Sequence, residues 1–284
     1  MRWLIETELP RYADRVLPWL TRDPVENNVL CTSIAARLDG TIPPAASPPL
    51  LAWLDSGGGR VGGAAVCIPP FQLIVPVLPP EAADALAYRL LADRADIPGV
   101  SGPVATADRF AGTWQARTGM HTEVLMRERL YRLGELSPPA GVAGLLRRAG
   151  GDDLGLMVRW MTEFVDEAGL PRPPDVEAST RRRTARGGLH LWEVAGTPVC
   201  MVGHAPVAAA VARIGPVYTA PEHRRRGYGA AATAAVSRRL LDAGARACIL
   251  YTDQANSTSN SVYQRIGYRP VSEHVEWLFG SDAR

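Results

Sequence analysis

Cysteine is scarce in this chain, and the few present are scattered. Among 284 residues there are four cysteines, Cys31, Cys67, Cys200 and Cys248. No two of them lie close together in the sequence, so the spacing suggests neither a zinc site nor a disulfide framework. We therefore expect a protein of a reducing compartment, the cytoplasm, with no bound metal.

Net charge and long apolar runs are also lacking. The 31 basic and 29 acidic side chains leave a formal net charge of +2, too small for general binding to nucleic acid or to an anionic membrane. No apolar run approaches the ~20 residues needed to cross a bilayer. The first residues become acidic and proline-punctuated too soon for a signal peptide. We expect a soluble protein with neither a nucleic-acid nor a membrane partner.

What the chain does have is enough apolar material for two ordinary domains. Hydrophobic residues make up 46% of the sequence and charged residues 21%, which supports a packed core and argues against disorder. The segment Gly134–Gly141 (GELSPPAG) has the composition of a linker. We therefore predict one domain over residues 1–135 and a second over residues 140–284.

The two halves repeat the same predicted order of strands and helices. Three landmarks recur at spacings of 139, 141 and 148 residues: Trp53 with Trp192, Pro80 with Pro221, and Gly119 with Gly267 (192−53, 221−80 and 267−119). Loops can absorb so small a drift. The pattern favours an internal structural repeat of about half the chain, with two unrelated α/β domains as the alternative.

One stretch of the second half, residues 211–243, predicts an anion-binding site. A strand ends at Ala220-Pro221, since proline cannot continue a ladder. The sequence Arg224-Arg225-Arg226-Gly227-Tyr228-Gly229 then leads into an alanine-rich helix. Free N–H groups and the positive end of a helix dipole meet there, and arginine adds donors suited to phosphate. No Lys-Ser/Thr follows the glycines, so a P-loop is excluded.

The corresponding turn of the first half lacks these features. After Pro80 the sequence runs Glu81-Ala82-Ala83-Asp84-Ala85, which is acidic and contains no glycine. Such a turn repels phosphate. Only the second half is therefore expected to hold an anionic ligand.

Two motifs of the second half resemble those of a known family. Arg224-x-x-Gly227-x-Gly229, between a strand and a helix, looks like the acyl-CoA signature of the GNAT superfamily of N-acyltransferases. Further on, a second stretch resembles the family's next motif at the expected distance: Asn256-x-x-Ser259-x-x-x-Tyr263-x-x-x-Gly267-Tyr268. The resemblance covers residues 140–280 in detail. It reaches the first half only through the shared order of elements.

The resemblance implies an α/β (α+β) fold with two GNAT-like domains in tandem. Each has a mixed central sheet flanked by helices, the first is degenerate, and the second binds acetyl-CoA. In the family the strand before the glycine turn carries a β-bulge where the pantetheine arm inserts, and Gly215-Pro216 marks such a point here. The implied cofactor-binding residues are Val217, Tyr218, Thr219, Arg224, Arg225, Arg226, Gly227, Tyr228, Gly229, Ala230, Asn256, Ser259 and Tyr263.

The resemblance also implies catalytic roles. Tyr263 matches the general acid that protonates the leaving thiolate of coenzyme A, and an N–H near Val217 would hold the oxyanion. Much of the family has a glutamate as general base on the strand, where this chain has Arg213 and Tyr218 instead. The available carboxylates are Glu163, Asp166, Glu167, Glu193 and Asp253. The sequence prefers none of them.

The implied activity is direct transfer of an acetyl group from acetyl-CoA to a primary amine, through a tetrahedral intermediate. The acceptor would be a small molecule or a peptide, and a homodimer is one assembly that the first half would allow. Two alternatives are an acyl-CoA-sensing protein without catalysis and an aminoacyl-type transferase with two GNAT-like domains. The near-neutral charge argues against the large RNA partner of the latter.

A second basic stretch has a less specific pattern. Arg181-Arg182-Arg183 with Arg186 favours a solvated helix face over a nucleic-acid patch. Contact with the adenosine phosphate or with an acidic substrate is the other interpretation.

Overall fold

The structure, a computed structural model, describes residues 1–43, 47–170 and 175–280. Its α-helices are α1 (Leu9–Leu20), α2 (Asn28–Leu38), α3 (Pro80–Ala92), α4 (Val104–Thr118), α5 (Leu154–Glu167), α6 (Val176–Ala185), α7 (Tyr228–Asp242) and α8 (Ser257–Arg265). Within these described ranges no helix is long and apolar enough to cross a membrane.

The strands alternate with these helices along the chain. They are β1 (Arg2–Glu6), β2 (Leu50–Asp55), β3 (Val61–Cys67), β4 (Leu73–Ile74), β5 (Gly99–Pro103), β6 (Thr122–Leu133), β7 (Leu145–Arg148), β8 (Leu189–Val194), β9 (Thr197–His204), β10 (Val211–Thr219), β11 (Ala247–Asp253) and β12 (Tyr268–Phe279).

The order of elements repeats. From β1 to β6 the chain forms a strand, two helices, three strands, a helix, a strand, a helix and a strand, and the same order runs from β7 to β12. The predicted fold class, mixed α/β with sheets flanked by helices and an internal repeat, is confirmed. Strand β4 is only two residues long. The prolines at 76, 79 and 80 limit ladder bonds there.

The chain divides into two units. The first contains residues 1–130, 252–256 and 270–284, and the second contains residues 131–251 and 257–269. In the first, strands β1-β2-β3-β4-β5 lie side by side, and the end of β12 pairs antiparallel with β5, from His274 opposite Pro103 to Leu278 opposite Gly99. The proposed boundary at residues 136–139 stays a prediction.

The core of the first unit is aliphatic and aromatic. Trp3, Leu86 and Phe110 are fully buried in it, and Trp114 stacks between Phe110 and Phe279 at centroid distances of 5.7 and 5.6 Å. Because aromatic side chains remove large apolar areas from water, this cluster stabilises the unit without disulfides.

In the second unit the strands lie in the order β11-β10-β9-β8-β7. β10 and β11 are parallel, and the other pairs are antiparallel. Alternate residues of β9 enter two different clusters: Cys200 and Val202 pack with α7, whereas Met201 packs with Trp160 of α5. Because successive strand residues point to opposite faces, α7 covers one face of this sheet and α5 the other.

Candidate functional site

Strand β10 separates from its parallel neighbour partway along its length. It pairs with β11 over Val211–Arg213, opposite residues 247–249, while its antiparallel pairing with β9 continues to Thr219. The β9 register shifts between Ile214 and Val217, a bulge that contains Gly215 at φ +146°. Only glycine adopts that conformation readily, so this residue lets the strand bend away from β11.

The bulge leaves backbone groups of β10 on the β11 side. The Ala220 N–H donates to the Val199 carbonyl at 3.3 Å, so residue 220 bonds to β9. Along one strand of an antiparallel pair, successive N–H groups point alternately toward the partner strand and away from it. The backbone N–H of Tyr218 therefore points toward β9, and the N–H groups of Val217 and Thr219 point toward β11. The two N–H groups therefore line the gap that opens beyond Arg213.

The corresponding strands of the first unit stay together. β4 pairs with β5 at Leu73 and Ile74, and the Val75 N–H continues the ladder to the Ser101 carbonyl at 3.0 Å. A Cβ added to Gly102 would clash with the Val75 carbonyl, so the two backbones are in close contact. The gap therefore belongs to the second half of the repeat.

A glycine turn connects β10 to α7. Gly227 precedes the helix and has a left-handed backbone conformation, with φ +81°. Arg225 also has a left-handed backbone conformation, with φ +63°. The first helical N–H groups, from Tyr228 to Ala230, have no intrahelical acceptor and point out of the N-terminus. A Cβ on Gly229 would lie 3.4 Å from Thr219 Oγ1, so glycine keeps the first turn of α7 close to the edge of β10.

The three arginines of this turn do not act alike. Arg224 Nε donates to the Thr219 carbonyl at 2.9 Å, and its Nη2 pairs with both carboxylate oxygens of Glu167 at 2.7 and 2.8 Å. The guanidinium also lies 5.5 Å from the Tyr218 ring. Arg224 thus fixes the turn to β10 and α5. Arg225 and Arg226 are exposed beside the helix N-terminus.

A carboxylate of α5 reaches the strand at Tyr218. The Tyr218 hydroxyl donates to Glu163 Oε2 at 2.8 Å and lies 3.4 Å from Glu167 Oε1. Burial, and then the bond to Glu163, raise the pKa of Tyr218 far above its usual range. The hydrogen bond therefore holds a glutamate of a neighbouring helix beside β10 at Tyr218.

Other candidate carboxylates are engaged elsewhere. Glu193 pairs with Arg147 at 2.5 Å, and Arg147 also makes two bonds of 2.8 Å to Asp153. Asp253 accepts the Ala255 N–H at 2.8 Å in the turn before α8. Their bonds assign both residues to local structure, whereas Glu163 and Glu167 adjoin β10.

Tyr263 lies on α8 against the core of the second unit. Burial raises its pKa far above the usual range, and Cys200, which pairs with Thr219 across β9 and β10, adds to the rise. Helix α8 is held by Asn260, whose Oδ1 accepts a bond of 2.8 Å from the Tyr131 hydroxyl. Tyr263 therefore stays protonated at neutral pH, near the end of β10. The sequence did not single out Tyr131, which lies 129 residues from its partner.

The remaining motif residues lie at the start of α8. Ser259 is half-buried in the second unit, whereas Asn256 is exposed in the turn before the helix and belongs to the first unit. Their proposed contact with pantetheine stays a prediction.

The second basic stretch is only partly a solvated face, so that interpretation is wrong for one end of it. Arg181 and Arg182 are exposed, as expected, but Arg183 turns inward and donates to the Gly215 carbonyl at 2.5 Å. Arg186 also turns inward and donates to the His204 carbonyl at 3.3 Å. The spacing of the arginines in the sequence does not reveal this, because the space for Arg183 comes from Gly203 on strand β9.

Residues 203–278 match the family model described as FR47-like protein, which is GNAT-related. No curated protein matches the sequence. Among solved structures, a GNAT-family acetyltransferase from Colwellia psychrerythraea is similar at a TM-score of 0.65 and 10% identity, over 98% of this chain and 99% of that one.

Two further solved structures show the same likeness. A GCN5-related N-acetyltransferase from Sphaerobacter thermophilus matches at a TM-score of 0.61 and 18% identity, over 98% of this chain and 96% of that one. A tandem GNAT protein from the clavulanic acid biosynthesis pathway matches at a TM-score of 0.57 and 16% identity, over 100% of this chain and 99% of that one. The resemblance indicated by the two motifs is confirmed, and the chain has the fold of the GNAT acetyltransferases.

Proposed function

We propose that this protein is an N-acetyltransferase that moves an acetyl group from acetyl-CoA to a primary amine. The observation that carries the proposal is the gap between β10 and β11, which ends at the glycine turn of α7. The N–H group of Val217 suits the thioester oxygen, that of Thr219 suits an amide oxygen of the pantetheine arm, and the turn suits a pyrophosphate. Among the described residues no group of side chains is arranged to hold a metal ion.

The coenzyme supplies the acetyl group as a thioester, and residues of the second unit act on it. Glu163 takes the proton of the incoming ammonium, either directly or through the hydroxyl of Tyr218. The neutral amine then forms the new C–N bond while the Val217 N–H donates to the carbonyl oxygen that becomes negative. As the C–S bond breaks, Tyr263 gives its proton to the departing sulfur. The nitrogen of the intermediate loses its second proton to solvent, from which Tyr263 is reprotonated, so that the products are a neutral amide and a free thiol.

Incubation with acetyl-CoA and a panel of primary amines tests the activity. We expect acetylated amine by mass spectrometry and one free thiol released per product. Binding of acetyl-CoA without acetylation of any amine or consumption of the thioester would instead indicate an acyl-CoA-sensing protein, and no binding would exclude both functions.

A further inference from the structure

Arg183 has an incomplete set of partners. Its Nη2 donates to Gly215 in the bulge of β10, but its Nε is shielded from solvent and has no hydrogen-bond acceptor among the described residues. Buried N–H groups of native proteins are nearly always paired, because an unpaired donor loses its bonds to water without replacement. The missing acceptor is therefore a feature that needs an explanation.

The surroundings of Arg183 are cationic. Burial, and then the charges of Arg186 and Arg213, together lower its pKa to about 9. A guanidinium in such a field is poorly compensated by its surroundings. An anion placed beside it would relieve both the repulsion and the unpaired donor.

Glycines on two strands make room at this point. A Cβ on Gly203 of β9 would lie 3.0 Å from both Arg183 Nη2 and the Gly215 carbonyl, so a larger residue would push the guanidinium away from the bulge. A Cβ on Gly215 itself would meet nothing within 4 Å, so space is open next to the contact. The sequence thus admits an arginine to the bulge and leaves a volume beside it.

This place lies close to the proposed transfer site. Val217 follows Gly215 by two residues, roughly 7 Å along an extended strand. The phosphates of the coenzyme are assigned to the turn of α7, which follows the C-terminal end of β10. An anion at Arg183, beside the middle of the strand, would therefore belong to the acceptor. A planar guanidinium suits a planar carboxylate, which it can bind through two parallel bonds.

We propose that Arg183 binds a carboxylate of the acceptor, so that the substrate is a small amino acid whose amine reaches the thioester near Val217. The inference rests on the proposed acetyl transfer and narrows its substrate class. The short distance between bulge and transfer site favours a compact amino acid.

Matched probe pairs test the inference. Glycine, β-alanine and γ-aminobutyrate are each compared with their carboxamide as acceptors of acetyl from acetyl-CoA. We expect kcat/KM at least tenfold higher for the acids. Arg183→Gln should lower kcat/KM at least tenfold for the acids and less than twofold for the carboxamides. Arg183→Lys should keep part of the preference for acids over carboxamides. The control is Arg182→Gln, an exposed neighbour on the same helix, which should behave as the wild type.

Thermal unfolding with the same probes, without coenzyme, measures the site separately. We expect the acids to raise the Tm of the wild type but not that of Arg183→Gln. Equal use of acids and carboxamides, preference for phosphoethanolamine over the acids, or an unchanged preference in Arg183→Gln would overturn the inference. So would the absence of a Tm rise together with no acetylation of any acid. Failure of the acetyl-transfer proposal itself appears separately, as no binding of acetyl-CoA in calorimetry.

Discussion

The hydroxyl of Tyr218 donates a hydrogen bond of 2.8 Å to Glu163 Oε2, which joins strand β10 to helix α5. The side chain of Glu163 is 40% exposed, so its carboxylate is accessible to solvent and to a substrate. Through this bond a helix supplies the carboxylate that the strand itself lacks. This pair is the general base of the reaction that we propose.

Glu163→Gln should lower kcat about 100-fold, because general-base catalysis contributes roughly that much or more. The affinity for acetyl-CoA should not change, since Glu163 lies on the α5 face and not in the gap. Steady-state kinetics and calorimetry measure the two effects. Glu177→Gln, an exposed carboxylate on α6 that pairs with Arg181, is the control and should keep full turnover. Equal loss in both variants would remove Glu163 from the mechanism.

Tyr263→Phe should leave coenzyme binding near normal and lower turnover by about 100-fold, since only the donated proton is lost. Because the pKa of Tyr263 is raised, its proton remains in place throughout the neutral and mildly alkaline range. The activity should therefore show no alkaline loss from this group below about pH 10.

Tyr268→Phe is the matched control for that variant. The rings of Tyr268 and Tyr263 meet edge to face, with their centroids 6.2 Å apart, but the Tyr268 hydroxyl forms a hydrogen bond with Ser237 Oγ in the core. Its loss should lower the Tm and leave the turnover of the folded protein intact. Unchanged turnover in Tyr263→Phe would contradict the proposed role.

Asp153 should make the second unit acid-sensitive. Arg147 holds the pKa of Asp153 below its usual range, through two hydrogen bonds of 2.8 Å. A lowered folded-state pKa means that the unfolded chain binds more protons. The pair therefore contributes its full stabilisation above the pKa of Asp153 in the unfolded chain, which is about 4. This stabilisation is lost as the pH falls through the lower pKa of Asp153 in the folded protein.

The variant Asp153→Asn should therefore cost about 1 kcal/mol at pH 7, since Arg147 is 40% exposed and the pair is partly screened. The cost should be smaller at pH 2, because this contribution to stability declines as the pH falls below the unfolded value. Urea unfolding at both pH values measures the difference. A cost that does not change with pH would show that the pair does not stabilise through its charge.

The sequence revealed the elements that depend on local pattern. Gly227 and Gly229 mark the turn because a left-handed residue and a close approach to Thr219 both require glycine. The internal repeat followed from recurring landmarks. By contrast, Glu163 and Tyr218 are 55 residues apart, and Arg183 and Gly215 are 32 apart. Such contacts depend on how α5 and α6 pack on the sheet, which periodicity does not encode.

The difference between the two halves could also be predicted, because it depends on the local sequence of one turn. The acidic, glycine-free start of α3 predicted that the first half does not bind phosphate. The close approach of Gly102 to Val75 adds that its strands also remain paired. The sequence identified the turn and marked the bulge at Gly215-Pro216, and the structure added how far β10 and β11 separate beyond Arg213.

Calorimetry with acetyl-CoA tests the central claim, that the gap and glycine turn of the second half form the binding site. We predict one coenzyme bound per chain, loss of binding in Gly229→Glu, where the side chain would enter the space beside Thr219, and normal binding in Gly112→Glu. Gly112 is a helical glycine of the first unit with open space around it. No binding by the wild type, two sites per chain, or undiminished binding by Gly229→Glu would contradict the account.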